Sequence, residues 1–319
     1  MRGVCEEMTN LDPQDGLTNE PAGLRLTNEG ANKLKSKGAF KSMLAALAVC
    51  LLSGLLCATN SFAGGTPVQV SATASGYAKP SMTLDLANNV FVAYESANEI
   101  YFNSSLLQFT TEVNVSQNTL SNSDVQIGSA SFGVAYLVYS QEGTLASANG
   151  SDVILNNNTG GPFGPPFNMT LSAVDESAPA INRSALGDTN LAWQQNPLMT
   201  APEIFFRRNS LSALNLGLGT SPQIADTFDG VSHVIYLRDG DIYYVTTDGS
   251  TAQAETLLVD FLDDIEDIRI TGDGDSNVRV AFTSATVLYY FDNITGSFDA
   301  PSVVDNGPIL EGIDLFSNH

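Results

Sequence analysis

The stretch His233–Tyr244, HVIYLRDGDIYY, sets two short runs of β-favouring residues on either side of Arg-Asp-Gly and reads as a hairpin. Similar stretches occur at Phe91–Phe102 (FVAYESANEIYF), Leu191–Phe206 (LAWQQNPLMTAPEIFF) and Val278–Tyr290 (VRVAFTSATVLYY). An aromatic near the end of the first run serves as a ruler: Tyr94, Tyr139, Trp193, Tyr236 and Phe282, separated by 45, 54, 43 and 46 residues.

Each hairpin has a strand-like partner on both sides. Before it come SMTLDL (from Ser81), SDVQIG (Ser123), APAINR (Ala178), SPQIAD (Ser221) and EDIRIT (Glu266). After it come TEVNVS, NMTLSA, ALNLGL and ETLLVD. The third strands read EIYF, TLAS, EIFF, DIYY and VLYY. Four short strands per repeat, five times over, predict an all-β propeller of five blades, each of four antiparallel strands. One such sheet cannot bury both faces alone, so neighbours must stack on it. A sandwich or solenoid is the rival, but a sandwich has no reason to repeat one strand pattern five times.

The ends leave a question. GTPVQVSA (Gly65–Ala72) reads as an outer strand ahead of the first blade, and DAPSVVDNGPILEGIDLF (Asp299–Phe316) as an outer strand followed by another inner one. An N-terminal strand completing the last blade is one solution; a sixth blade made from these odd strands is another. The longest gap is assigned to SDVILNNNTGGPFGPPFNMT (Ser151–Thr170), read as a Gly/Pro/Asn-rich loop ending blade two, of the kind that shapes a binding face.

Ahead of the repeats, residues 1–41 are polar without apolar periodicity and are expected to be unstructured or absent from the mature chain. Met43–Ala58 is uncharged, follows four lysines and precedes Ser61 and Ala63, spaced as at an export cleavage site. The run is shorter than the roughly 20 residues of a membrane span. The reading is a signal peptide over residues 42–63 and a single propeller domain over 64–319, secreted or periplasmic in a bacterium, with no membrane attachment after cleavage. Cys5, Cys50 and Cys57 all precede the cleavage site, so a thiol nucleophile, a disulfide or a cysteine-bound metal is excluded from the domain.

The leader's basic and acidic residues cancel, so the whole net charge of −22 falls on residues 64–319, where seven basic groups face 29 acidic ones. Such a surface repels phosphate backbones and anionic lipids, which argues against nucleic-acid and membrane partners.

The pattern P-x-I-x-x-D-x-x-G-x-x-x-V-x-Y…I-Y-Y, clearest in Ser221–Gly249 and spread over residues 80–291, resembles the repeats of sialidase-like (BNR-type) secreted propellers. That resemblance implies the fold. The Ser-x-Asp-x-Gly-x-Thr-Trp boxes of sialidases are absent. Sialidase chemistry would further call for an arginine triad, for which Arg183, Arg238, Arg269 and Arg279 are available, with a tyrosine nucleophile and an acidic partner. The five-bladed arabinanase-type glycosidases, similar in architecture, use inner-strand acids.

Three aspartates fall in or beside predicted inner strands: Asp85, Asp226 and Asp267. Two carboxylates facing each other across the channel would have the arrangement of a glycosidase; the alternative is that they cap turns. Arg207 and Arg208, with Arg238, are candidates for holding an anionic ligand, or for pairing with nearby carboxylates. Asp273, Asp275 and Asn277 alternate as in the first half of a calcium loop, without its central glycine or distal glutamate. No cofactor is required by any motif; calcium is the one the sequence suggests. His233 begins a strand, and no G-x-S-x-G elbow accompanies it, so it reads as structural. The N-x-Ser/Thr sequences at Asn103, Asn114, Asn157, Asn168, Asn182 and Asn293 are read as chance in an Asn/Ser-rich chain. Two functions follow: a secreted binding module for glycans or extracellular proteins, or a glycoside hydrolase using inner-strand carboxylates.

Overall fold

In a computed structural model of the chain, the described residues are 69–71, 77–143, 150–159, 161–184, 186–260, 265–273 and 275–305, with the backbone of 17–20 and 23–26. The signal-like run Met43–Ala58 and the cleavage site lie outside them. In the leader, strands β1 (Leu17–Glu20) and β2 (Gly23–Leu26) pair antiparallel. Among the described residues no helix is long and apolar enough to cross a membrane.

The unit from Val68 onward is a five-bladed β-propeller. Blade one comprises β3 (Tyr77–Leu84), β4 (Val90–Ser96), β5 (Glu99–Ser104) and β6 (Val113–Asn114). Blade two has β7 (Asn122–Ser131), β8 (Val134–Glu142), β9 (Ser151–Asn157) and β10 (Phe167–Asn168). Blade three has β11 (Asp175–Arg183), β12 (Thr189–Asn196), β13 (Glu203–Arg208) and β14 (Leu214–Leu218). Blade four has β15 (Thr220–Asp226), β16 (Ser232–Arg238), β17 (Asp241–Thr247) and β18 (Thr256–Val259). Blade five has β19 (Ile265–Gly272), β20 (Val278–Ser284), β21 (Val287–Asp292) and β22 (Ser302–Asp305). Strand order in every sheet follows the chain.

The ruler aromatics do what their spacing predicts. All five are buried, and four stack across the second hairpin of their blade: Tyr94 on Tyr101 (6.1 Å between ring centres), Trp193 on Phe205 (5.8 Å), Tyr236 on Tyr243 (6.1 Å) and Phe282 on Tyr289 (4.8 Å). Such pairs add about 0.5–1.5 kcal/mol each beyond the area they bury. Between blades the core is aliphatic and aromatic. Phe91, Ala93, Ile100 and Phe102 of blade one meet Ile127, Leu137 and Tyr139 of blade two, and Ile235 and Ile242 of blade four meet Ile268, Val280 and Phe282 of blade five.

The inner strands explain the P-x-I pattern. Each carries a bulge near its start, between Ala78/Ser81, Ser123/Gln126, Ser177/Ala180, Thr220/Gln223 and Ile265/Asp267. In blades one, three and four the residue before the proline (Lys79, Ala178, Ser221) has positive φ. A bulge on an edge strand is where a proline, lacking an N–H, fits without breaking a ladder.

One expectation changes. The third strand of blade two is Ser151–Asn157, which the sequence reading placed in a loop; TLAS (Thr144–Ser147) lies outside the described residues. Val153 is fully buried and Ile154 nearly so; the asparagine run that follows them masked a genuine buried strand. In blade five β22 pairs with β21 as the fourth strand, while the N-terminal strand read over Gly65–Ala72 lies largely outside the described residues. Residues 69–71 form no strand, and the inner strand read after β22 lies outside the described residues.

Candidate functional site

Because the strands alternate in direction, the turns joining first to second strands emerge at one end of the propeller, here called the rim. Those joining second to third strands emerge at the far end. The rim turns touch one another from blade to blade. Asp85 after β3 accepts the Gly133 N–H of the β7–β8 turn (2.7 Å), and Asp229 of blade four accepts the Ser276 hydroxyl of blade five (3.1 Å). A β-carbon placed on Gly230 would lie 3.5 Å from Leu186 Cδ1 of blade three. The residue third in from the turn's start, or its equivalent, takes positive φ in every blade: Asn88, Gly133, Gly187, Gly230 and Ser276. One or two places before that left-handed corner, a side chain stands out from the turn.

These side chains are apolar in four blades. Leu86, Phe132, Leu186 and Phe228 are 56%, 70%, 70% and 48% exposed. Beside them, Arg183 at the rim end of inner strand β11 lays its guanidinium over the Tyr136 ring, 4.2 Å from its centre. It donates to the Thr189 hydroxyl, and its buried Nε has no acceptor. A guanidinium carries five N–H donors. Among the described residues Arg183 is the one basic side chain with neither a carboxylate nor a carbonyl partner.

The arginines singled out from the sequence are committed. Arg207 donates to the carbonyls of Asn209 and Met169. Arg208 donates to Asn190, to the Asp248 and Gly230 carbonyls and to Ser232, tying blade three to blade four. Arg238 is at the far end, paired with Glu255 (2.6 Å) and laid over Tyr243; the Glu255 bond holds its pKa above the usual arginine value.

Each of the three aspartates has partners within the protein. Asp85 caps its turn, accepting the N–H groups of Ala87 and Asn89 and the Asn89 amide as well as Gly133. Burial opposes its charge, but those bonds outweigh it and hold the carboxyl below its usual range. Asp226 is buried between blades three and four, bound by the Ser232 hydroxyl (2.5 Å) and the Asn190 amide (2.8 Å), and burial raises its pKa. Asp267 lies near the start of β19, at the opposite end of its strand from the rim, and is paired with Arg269.

Asp273 accepts the N–H groups of Asp275 and Asn277, the Asn277 amide and Arg279. Those bonds prevail over partial burial and keep its carboxyl below the usual range. Its oxygens are therefore occupied within the turn. Among the described residues, no group of three or more His, Cys, Asp or Glu side chains is placed to hold a metal ion.

His233 is buried, its Nε2 2.9 Å from the Thr227 hydroxyl and its Nδ1 2.6 Å from the Tyr244 hydroxyl; burial pushes its pKa down to about 4. Two of the N-x-Ser/Thr sequences also have structural work. Ser116 binds the Glu99 carboxylate and accepts the Ile100 N–H, while Asn114 caps Gln117. Thr170, Asp152, Val153, Asn168 and Leu171 repeat the arrangement in blade two. The exposed rim tips have no counterpart among the candidates read from the sequence, which named Arg183 only as one of four arginines available for a triad. Aligning the first turn of each repeat exposes the tips; the lack of a carboxylate or carbonyl partner at Arg183 has no signature in one dimension.

No protein-family model and no curated protein matches the chain. Solved structures do. A Hadza microbial sialidase superposes with a TM-score of 0.55 at 11% identity, over 73% of this chain and 59% of the sialidase, so the chain spans less than two thirds of that enzyme. The six-bladed fucose-recognising lectin of Aleuria aurantia matches with 0.46 at 12% identity (74% of this chain, 80% of the lectin). The α-L-arabinanase of Penicillium chrysogenum matches with 0.47 at 11% identity (70% and 79%). The fold resembles that of the sialidase-type propellers; at such identities the likeness concerns fold alone.

Proposed function

We propose that this protein is an exported β-propeller binding module that holds acidic glycans on its rim. The observation that carries the reading is Arg183: a guanidinium oriented on Tyr136 and bonded to no carboxylate or carbonyl of the described residues, at the rim that also carries the exposed Phe132 and Leu186 tips. A planar guanidinium fork matches a sugar carboxylate in a bidentate way. Apolar and aromatic side chains cover the C–H faces of sugar rings, while nearby turn residues offer hydrogen bonds. The hydrolase reading has less support, because Asp85, Asp226 and Asp267 each spend their oxygens on the protein's own donors.

The test is a glycan array probed with the full chain and with Arg183→Gln, with and without calcium, followed by a hydrolysis assay on every hit. Carboxylate-bearing glycans are expected to bind the native protein and to lose at least about tenfold in affinity with the variant, one missing charge-assisted bond being worth about 1.5–3 kcal/mol. Binding indifferent to the substitution, capture of extracellular proteins only, or turnover of a bound glycan would each overturn the reading.

A further inference from the structure

The exposed apolar side chains of the rim follow one another from blade to blade around one cation. Leu106, in the short 3-10 turn after β5 (Ser105–Leu107), is 51% exposed, and a β-carbon placed on Gly133 would lie 3.7 Å from its Cδ1. Gly133 follows the Phe132 tip, and its N–H binds Asp85, the residue before the Leu86 tip. Arg183 lies over Tyr136 of the same blade-two hairpin, and a β-carbon on Gly187, next to the Leu186 tip, would lie 3.9 Å from its Nη2. Leu186 reaches in turn to Gly230 of blade four. The turn does not require such tips. In blade five the corner that is left-handed at Ser276 carries an exposed Asp275 there, and the far-end turns of blades one and four hold Ala97–Asn98 and Asp239–Gly240. Grouped exposed apolar side chains of this kind mark a surface that meets a ligand or partner.

On the reading that Arg183 holds the acid group of a glycan, we propose that the ligand is an amphiphile: a sugar acid whose alkyl or acyl chain lies across Phe132 onto Leu86 and Leu106 of blade one. Two features argue for a chain over a further sugar. A leucine side chain has no ring face to set against a sugar, whereas it packs on methylene groups with the same gain as in a core. Sugar hydroxyls also need polar partners, and Asp85 beside Leu86 is 5% exposed, its oxygens taken by the N–H groups of Ala87, Asn89 and Gly133. The chain runs toward blade one because both leucines adjoin the blade-two turn there. On the blade-four side an exposed Asp229 follows Phe228, and covering its carboxylate costs solvation. The molecule is bound singly from solution, since a net charge of −22 repels an anionic lipid surface.

The test is calorimetric titration of the full chain with methyl β-D-glucuronide, octyl β-D-glucuronide and octyl β-D-glucoside, each below its micelle concentration. Octyl glucuronide is expected to bind at least about tenfold more tightly than the methyl compound, with a more negative heat-capacity change. Octyl glucoside, which lacks the acid, is expected to bind at least about tenfold more weakly than octyl glucuronide. In the double variant Leu86→Ser/Leu106→Ser, shown to be folded by its circular dichroism melt, the octyl glucuronide is expected to fall to the affinity of the methyl compound, which is itself unchanged. Equal binding of the two glucuronides by the native chain overturns the proposal and leaves the acidic-glycan reading standing; binding of neither overturns both. Octyl glucoside that binds as tightly as octyl glucuronide, or a double variant that keeps the octyl gain, overturns the proposal. So does concentration-dependent self-association of the native chain that the double variant abolishes, which would assign the leucines to contact between copies.

Discussion

The two ends of this propeller are made by the same hairpins and yet present different chemistry. At the rim, Leu86, Phe132, Leu186 and Phe228 stand out between turns whose carboxylates are engaged by backbone N–H groups, and Arg183, Arg207, Arg208 and Arg279 are gathered there. At the far end the strand starts and stops carry Glu95, Glu99, Asp124, Glu142, Asp152, Asp175 and Glu176, with Lys79 pairing with Asp124. Many of the chain's carboxylates therefore stand at the end away from the face proposed to meet ligand. A local arginine can act on an anion even in a protein of this net charge, because screening shortens the reach of the distant carboxylates to about 10 Å.

This contrast can be broken or sharpened. The largest effect is expected at the rim, beneath the surface: Asp226→Ala leaves the Ser232 hydroxyl and the Asn190 amide without their acceptor in a buried seam and removes a charge beside Arg208. A loss of about 2–4 kcal/mol, read from urea unfolding, is expected; a loss near zero would mean that the blade three–four seam does not depend on it.

A smaller effect, tied to pH, belongs to the far end. Glu176 is 1% exposed, Gln195 reaches its Oε1 at 3.4 Å, its Oε2 is unpaired, and burial pushes its pKa up to about 7 from a model-peptide 4.5. The folded chain thus holds a proton that the unfolded chain has lost between those values. Its contribution is present at low pH and disappears as pH rises through 7. Glu176→Gln removes that loss, so the variant should melt above the native protein at pH 8 and the gap should narrow toward pH 5. Parallel melting curves across this range would show that Glu176 does not titrate there.

The smallest effect is expected from calcium. With the Asp273 oxygens occupied by Asp275, Asn277 and Arg279, millimolar calcium should move Tm by less than about 1 °C. A saturable rise of several degrees, abolished by Asp273→Asn, would turn that rim turn into a metal site.

Much of the architecture was legible in one dimension. The aromatic ruler works because the second strand must bury a large residue against both its own third strand and the adjacent blade, and that demand returns once per blade. The P-x-I pattern was legible because only a bulged edge strand tolerates the proline. Blade two was misread where polar Asn156 and Asn157 end β9: Asn156 is 1% exposed, and nothing in its type foretold that.

For the site, residue types left two readings open at Asp85, Asp226, Arg207, Arg208 and Asp273, because composition cannot show which donors meet which acceptors. Periodicity, a local property repeated along the chain, determined the class of fold and pointed to five blades, with a sixth left open by the odd strands at the ends. Which group a charged side chain meets depends on residues brought together from different blades, and only the tertiary structure shows that the Asp226 oxygens meet Ser232 and Asn190 while Arg183 meets Tyr136 and Thr189.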